Sequence, residues 1–366
     1  MMIRDLLSGS KVGDFHGRDN NFNLIRFLAA TSVIWTHAFG LLQQTSREPV
    51  YHAFGIGAGD LGVDVFFVLS GYLVSKSWDG KTLTEFGWAR FLRIYPGLWV
   101  SILVTVVVAG LFFTDLSAGR FFLNQSTITY LLHNATILPK FGAQLTLPHA
   151  LRYRNDDFNV PLWTLPYELQ MYVLLALFGI SFGLRARLVA SVAAFGVLGV
   201  LFDKIGLVHL MDVNRGRFLY LFFVGSLIYV LRGRIVLRAW IAGCAVGLVL
   251  AVGILTKSQI VRQATLLLVL PYVLLWCALV PAGWIRQWNK LGDYSYGMYI
   301  YGCPIQIALI STGVVATAGG DFLLSMLITV PIAALSWHLL EKRVLHVRLP
   351  AFLAFEFPKR APAPTD

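Results

Sequence analysis

Charged residues are scarce in this sequence. They make up 13% of its 366 residues, about half of the ~25% that is usual in soluble proteins. Hydrophobic residues make up 57%, and several apolar runs approach the roughly twenty residues that a helix needs to cross a membrane. The sustained alternation of apolar and polar residues that barrel strands require is missing. The sequence therefore predicts an all-α integral membrane protein.

Cysteine is also rare. The three cysteines are odd in number and lie in apolar stretches, so the sequence predicts buried small hydrophobic side chains and no disulfide framework. Three histidines of the predicted outer loops lack the spacing of metal ligands, and no metal site is predicted. The residues in question are Cys244, Cys277 and Cys303, and His52, His133 and His149.

The apolar segments predict about ten transmembrane helices, with Arg26, Asp64 and Glu168 among their internal charges. Lys and Arg are more frequent in the N-terminus, the tail and the loops after every second span, so both termini are predicted to be cytoplasmic. That distribution also accounts for the net charge of +11, and no nucleic-acid partner is expected. The predicted spans are 23–42, 61–77, 94–113, 161–182, 188–202, 217–231, 239–256, 263–281, 291–312 and 322–340.

The chain is predicted to hold one membrane domain, 23–345, between two cytoplasmic segments. Residues 1–22 have no short apolar core followed by a cleavage site, so we expect a lead-in and not a cleaved signal. Residues 346–366 are rich in proline and are predicted to be disordered. A long loop at about 114–160 is predicted on the non-cytoplasmic side, where loops of this length are usually functional or disordered.

Arg26 and His37 share one predicted span. Eleven positions separate them, which returns both to nearly the same helix face, roughly 16 Å apart along the axis. An arginine at the bilayer centre costs at least ~2.5 kcal/mol, so such residues usually face a protein interior or a wet cavity. Alternatively, Arg26 reaches the headgroups and His37 is a hydrogen-bonded core residue. The pair favours a site that binds an anion at one end and moves a proton at the other.

Arg90 and Arg93 form a second pair of cations at the predicted cytoplasmic entrance of the third span. Their spacing places both guanidinium groups on one face of a helical turn, where they can chelate a phosphate. Composition alone favours the simpler interpretation, positive-inside anchoring.

Two carboxylates complete the candidate set. Asp64 lies near the non-cytoplasmic end of the second span. Three roles are open for it: an interfacial cap, the partner of a buried cation, or a functional group. Gly62 and Gly71 on the same span permit close helix approach. Glu168 is predicted about two turns inside the fourth span. It is the economical partner for His37, because a carboxylate fixes an imidazole tautomer and stabilises its protonated form.

Taken together and in this order, five motifs resemble those of the acyltransferase-3 family of membrane acyltransferases. The resemblance covers about residues 20–345. It implies transfer of an acyl group, most often acetyl from acetyl-CoA, to hydroxyls of surface or secreted glycans. It also implies that His37 is catalytic, that Arg26 belongs to its motif, and that Arg90 and Arg93 take part in acyl-CoA binding. The motifs are Arg26 with His37, Arg90 with Arg93, the Gly62–Gly71 run, Leu162 to Glu168, and Ser295–Tyr299.

Two departures from the family pattern limit what is carried over. Many members have a histidine and a tryptophan before the proline of the late motif, where this chain reads Tyr301-Gly302-Cys303-Pro304. The role of that histidine is therefore not assigned here. Some relatives also carry a soluble hydrolase-like domain at the C-terminus. We expect none in this chain, so that all chemistry takes place in the membrane domain.

The predicted function is O-acyl transfer from acyl-CoA to a glycan or lipid-linked oligosaccharide by a multi-pass protein of the cell membrane, most simply a bacterial inner membrane. His37 takes the proton of the acceptor hydroxyl, and Glu168 and Asp64 orient the imidazole or stabilise its charge. An acyl-histidine intermediate is a variant of this mechanism. The alternatives are a proton-coupled transporter or flippase of glycan precursors and a non-catalytic sensor or assembly factor. Loop aromatics that could stack on sugars are Phe141, Tyr153, Phe158 and Trp163.

Overall fold

A computed structural model describes residues 9–15, 17, 19–137, 147, 158–204 and 212–350, and almost all regular structure within them is helical. The predicted all-α class is confirmed. The helices are α1 (Phe22–Leu41), α2 (Pro49–Phe54), α3 (Ala58–Trp78), α4 (Leu83–Phe112), α5 (Ala118–Phe122), α6 (Gln125–Thr136), α7 (Leu165–Phe182), α8 (Ala186–Lys204), α9 (Val213–Val230), α10 (Ala239–Leu255), α11 (Gln259–Leu279), α12 (Trp288–Leu291), α13 (Ser295–Ser311), α14 (Ala318–Ser336) and α15 (Lys342–Val344).

Short elements connect these helices. Two-residue strands β1 (Ser10–Lys11) and β2 (Val236–Leu237) pair antiparallel and join the N-terminal segment to the start of α10. A π-helical turn, Trp337–Glu341, continues α14 into α15. The 3-10 turns are Val12–Asp14, Thr45–Arg47, Val160–Thr164 and Trp284–Gln287.

In the part of the chain that the structure describes, five helical stretches are long and apolar enough to cross a membrane. Each overlaps a predicted span, and the other predicted spans overlap helices α7, α8, α9, α10 and α13. The count of ten spans and the cytoplasmic position of both termini remain predictions. The five stretches are Phe22–Leu41, Ala58–Trp78, Leu83–Phe112, Gln259–Leu279 and Ala318–Val344.

Two helix starts differ from the prediction for local chemical reasons. Helix α4 begins at Leu83, eleven residues before the predicted span, because Thr82 and Glu85 form a capping box in which each side chain accepts the other's backbone N–H (2.8 and 3.2 Å). Helix α7 begins at Leu165, because Pro161 lies in a preceding 3-10 turn and Pro166 occupies the first helical turn. Arg90 and Arg93 therefore lie inside a helix, and Glu168 lies in the first turn of α7.

Helices α3 and α9 cross at a very short distance through a pair of glycines. A Cβ atom on Gly71 would lie 1.8 Å from the carbonyl oxygen of Phe222, and one on Gly225 would lie 2.1 Å from that of Val68. The Ser75 hydroxyl donates to Ser226 (2.7 Å) near the same crossing. The close approach predicted for Gly71 is confirmed, and it is the small-residue packing that is typical of membrane helices.

Helix α1 packs against α3, α13 and α14. Its start is held by Asn21, whose side chain donates to the carbonyls of Cys277 and Pro281 (3.0 and 2.9 Å). Gly62 of α3 approaches the carbonyl of Ala29, where a Cβ atom would lie only 2.5 Å away. This packing places Arg26 and His37 at two levels of the helical core.

Parts of the predicted loop and tail lie outside the described residues. The first part of the loop forms the short helices α5 and α6. The polar run 152–157 and two of the proposed sugar-stacking aromatics, Phe141 and Tyr153, are not among the described residues, nor is the tail from 351 onward. Of the other two aromatics, Phe158 is buried and Trp163 packs on Tyr167 and Phe218.

Candidate active site

Arg26 and Arg93 converge on one buried carboxylate, Asp293. The oxygen Oδ2 of Asp293 lies 2.8 Å from Nη1 of Arg26 and 2.7 Å from Nη2 of Arg93. Asp293 precedes helix α13 and is only 6% exposed. Arg26 of α1 and Arg93 of α4 therefore belong to one cluster, which we call the arginine clasp (Arg26, Arg93 and Asp293).

The ionised form of Asp293 is strongly favoured. Two guanidinium groups at 2.8 and 2.7 Å and hydrogen bonds from Ser295 compensate for the burial of the charged carboxylate. The Ser295 hydroxyl donates to Oδ1 at 2.5 Å. The buried cations are thus compensated by a fixed anion, as ionisable groups at membrane depth require.

A second carboxylate, Glu341, supports Arg93 from the π-helical turn. Its oxygen Oε2 lies 3.9 Å from Nη1 of Arg93, and its Oε1 accepts a hydrogen bond from Ser336 (2.9 Å). The ring of Tyr296 lies under the Arg93 guanidinium, 5.5 Å from its carbon Cζ. Arg93 is therefore held on three sides.

Arg90, one helical turn earlier, has a different environment. Its guanidinium lies over the rings of Tyr172 and Phe86 (5.6 and 5.9 Å) and donates to the hydroxyl of Ser77 (3.3 Å). No carboxylate among the described residues forms an ion pair with it, and its Nε atom is buried without a hydrogen-bond partner there. Arg90 is therefore the cation of the predicted pair that is available to an anionic ligand.

Glu168 lies beside the arginine clasp. It accepts a hydrogen bond from the hydroxyl of Tyr172, and it interacts electrostatically with Arg26 and Arg93. The carboxylate that interacts electrostatically with His37 is Asp60. The predicted pairing of Glu168 with His37 is thus not the arrangement in the structure. The segment before α7 already lies inside the bundle, where Asn159 donates to the carbonyl of Ile300 (3.1 Å), and Glu168 therefore lies at the level of Arg26.

A cavity of about 960 Å³ opens at the end of the bundle where α1 begins. We call it the basic cavity, because seven Lys and Arg side chains line it against three carboxylates. Its volume lies at the upper end of the ~300–1,000 Å³ of ligand pockets. The charged residues in its wall are Arg26, Lys76, Arg90, Arg93, Arg286, Lys290 and Lys342, with Asp19, Glu168 and Asp293.

A much smaller chamber of about 50 Å³ continues from the basic cavity into the membrane domain. Four residues, Arg26, Ser70, Arg93 and Glu168, line both spaces. The apolar part of this inner chamber is formed by residues of α3, α4, α7 and α13. They are Val63, Phe66, Phe67, Ile94, Leu165, Tyr296 and Tyr299.

His37 lies deeper along α1 and lines neither of these two spaces. Its ring is partly buried, and its Nδ1 atom has no hydrogen-bond partner among the described residues. The neighbouring Thr36 hydroxyl accepts a hydrogen bond from the backbone of Gly59 (2.7 Å), and the Asp60 carboxylate accepts one from Gly57 (2.9 Å). His37 thus lies near Asp60 in the first turn of α3, and its Nδ1 atom is buried without a hydrogen-bond partner among the described residues.

Asp64 forms a buried ion pair with Arg217 of α9. The atoms Oδ2 and Nη2 are 2.5 Å apart, and Asp64 is fully buried. Of the three roles considered from the sequence, the structure shows that Asp64 is the partner of a buried cation. The pair joins α3 to α9 near the level of Asp60, whose carbonyl also accepts from Arg217 (3.4 Å).

Several site residues were missed by the sequence analysis. Asp293 lies two residues before the Ser295–Tyr299 motif. The need of Arg26 and Arg93 for an anion was a signal that a carboxylate partner exists, but it did not indicate which one. Glu341 and Arg217 lie just outside or at the edge of the predicted spans, where charges are common and carry little information. Tyr172 had no signal beyond its spacing of four from Glu168. Within the described residues no group of three potential metal ligands comes together.

Comparisons with known proteins place this geometry in context. The acyltransferase domain profile, Acyl_transf_3, matches residues 19–338. The chain is 27% identical over 346 residues to an O-acetyl transferase of Shigella phage Sf6, which covers 90% of this chain and 96% of that protein. It is 27% identical over 364 residues to nodulation protein 10 of Rhizobium leguminosarum bv. viciae, which covers 91% and 95%.

A partial relative adds one further name. Over 129 residues the chain is 31% identical to the peptidoglycan O-acetyltransferase OatA of Listeria monocytogenes, which covers 32% of this chain and 19% of that protein. No solved structure matches the chain significantly.

Proposed function

The chain belongs to the acyltransferase-3 family, and from that premise we propose that it is a membrane O-acetyltransferase that moves an acetyl group from acetyl-CoA to a hydroxyl of a glycan. The observation that carries the proposal is the basic cavity, with its excess of cations and its narrow continuation past the arginine clasp. An anionic nucleotide with a long thin arm and a small reactive end fits that shape and charge.

We assign the phosphates of the donor to the basic cavity. Arg90 is the principal ligand, since its guanidinium has no carboxylate partner among the described residues, and a planar guanidinium suits phosphate oxygens. Lys76 and Lys342 in the same wall add positive charge. Arg26 and Arg93 lie where the cavity narrows and, with Glu168, line the path of the thioester.

The reaction is a direct acyl transfer. The acceptor oxygen attacks the thioester carbonyl carbon, so that a C–O bond forms and the C–S bond breaks. His37 takes the hydroxyl proton and returns it to the departing CoA sulfur. Asp60, which interacts electrostatically with His37, stabilises the imidazolium. Asp64 acts indirectly, because its ion pair with Arg217 fixes α3 near Asp60.

Donor and acceptor approach from opposite ends. Val63, at the inner chamber, lies three residues from Asp60, a distance of about one helical turn. His37 is therefore reached from the end of the bundle opposite the basic cavity. With both termini cytoplasmic, the cavity faces the compartment that supplies acetyl-CoA, and the glycan or lipid-linked oligosaccharide is modified from the outer side of a bacterial inner membrane.

The names of the relatives support an O-acetyl product, and one of them acts on peptidoglycan. The test uses membranes that contain the full chain, radiolabelled acetyl-CoA and glycan mass spectrometry of cells with and without the protein. We expect label in the glycan fraction and a mass increase of one acetyl group per modified sugar. A transporter or flippase would change the amount of exported glycan without any acetyl label, and that result would refute the proposal.

A further inference from the structure

The inner chamber is small enough to select the acyl group. We propose that this chamber is an acyl pocket that accepts acyl groups of two or three carbons and rejects longer chains, a proposal that rests on the proposed function. Val63, Phe66 and Tyr299 are the residues that set the limit. Nothing in the motifs distinguishes one acyl length from another, so the inference depends on the shape of the chamber.

The inner chamber is continuous with the basic cavity. Arg26, Ser70, Arg93 and Glu168 line both spaces. A donor whose phosphates lie against Arg90 therefore extends its reactive end past the arginine clasp into the chamber. The acyl group is the part of the donor that meets the chamber wall.

The volume of the inner chamber limits the length of the acyl group. The chamber holds about 50 Å³, and one water-sized group needs roughly 10–15 Å³ on the same measure. There is room for about four such groups. An acetyl or propionyl group fits this space with its carbonyl oxygen, whereas a hexanoyl chain exceeds it by several methylene groups.

The wall of the inner chamber is rigid. The Tyr299 hydroxyl donates to the carbonyl of Pro161 (2.9 Å) and shares a hydrogen bond with Thr164. The Phe66 ring packs edge-on against Tyr299, with 5.9 Å between the centroids, and the Arg26 guanidinium lies 5.8 Å from the centroid of the Phe66 ring. Enlarging the chamber would break buried hydrogen bonds or displace the clasp, and packed interiors resist such overpacking.

The experiment measures kcat/KM of the membrane-embedded full chain with acetyl-, propionyl-, butyryl- and hexanoyl-CoA. A rigid pocket discriminates by about tenfold or more per added methylene, so we expect hexanoyl transfer to be at least about a hundredfold below acetyl transfer. A smaller difference would overturn the inference while leaving the proposed function intact. Absence of product with every donor would instead refute the proposed function.

A variant enlarges the pocket directly. Phe66→Ala should raise the ratio of butyryl to acetyl transfer at least about tenfold. Phe112→Ala, which removes a ring that is 74% exposed at the end of α4, is the matched control and should leave that ratio unchanged. Val63→Ala removes less volume and replaces Phe66→Ala if the latter does not fold. An unchanged ratio in a folded pocket variant would overturn the inference.

Discussion

The two ends of helix α1 are built in different ways. At the first end, Arg26 is paired with Asp293 and faces both the basic cavity and the inner chamber. At the other end, His37 has no hydrogen-bond partner for Nδ1 among the described residues and lines neither space. One end holds permanent charge in a fixed geometry, and the other holds a group that carries charge only when it is protonated.

The difference follows from what each end has to do. A permanent cation at membrane depth needs a fixed anion, and the clasp provides one in Asp293. A general base must accept and release a proton, so it needs one ring nitrogen that can reach the acceptor hydroxyl. The comparison predicts that chemistry depends on the His37 end, while stability and donor affinity depend on the Arg26 end.

The largest expected effect is the loss of the base. His37→Ala should lower acetyl transfer by about 10²–10⁴-fold, the usual contribution of positioned acid–base groups, with unchanged thermal unfolding in detergent. His52→Ala, at an exposed histidine of α2, is the control and should retain full activity. Undiminished transfer by a folded His37→Ala protein would remove this residue from the mechanism.

The next effect is on stability at the clasp. Asp293→Ala leaves two buried guanidinium groups without their shared anion and should destabilise the fold by about 3–5 kcal/mol. The matched control is Asp19→Ala, because Asp19 is 75% exposed and pairs with Arg286 at 2.6 Å, and surface pairs contribute at most about 1 kcal/mol. Thermal unfolding of the two variants in the same detergent measures the difference. Equal destabilisation would show that the clasp is not a buried ion cluster.

The smallest effect separates the two arginines of α4. Arg90→Ala should raise the KM for acetyl-CoA by about tenfold, as expected for the loss of a charged hydrogen bond, and Arg90→Lys should restore part of the affinity. Stability should change little, because no carboxylate among the described residues depends on Arg90. Arg93→Ala should lower the melting temperature as well, since it removes a partner of Asp293. Identical behaviour of the two alanine variants would contradict the distinction.

The sequence predicted those parts of the molecule that depend on periodicity and spacing. The all-α class, the close approach at Gly71 and the shared helical turn of Arg90 and Arg93 all follow from local pattern. The different environments of Arg90 and Arg93 do not follow from local pattern, because Asp293 lies 200 residues from Arg93 along the chain. A single sequence contains no signal for which distant carboxylate a buried cation will meet.

The depth at which two helices start accounts for the other discrepancies. Glu168 was expected beside His37 because its span was predicted to begin at 161 at the membrane surface. Instead, the segment before α7 already lies inside the bundle, where Asn159 donates to the carbonyl of Ile300 (3.1 Å) and Tyr299 donates to that of Pro161 (2.9 Å). Asp60 was overlooked as the partner of His37 because it lies before the predicted span, although the structure places it in the first turn of α3. Contacts between residues that are distant in the sequence thus place Glu168 at the Arg26 end of the site.

The most direct test of the account is an experimental structure of the full chain in lipid with a non-hydrolysable acetyl-CoA analogue. We expect the nucleotide phosphates in the basic cavity within hydrogen-bond distance of Arg90, and the acetyl group in the inner chamber against the wall formed by Phe66 and Tyr299. An analogue bound at the opposite end of the bundle, or one whose acetyl group points into the lipid, would contradict the account.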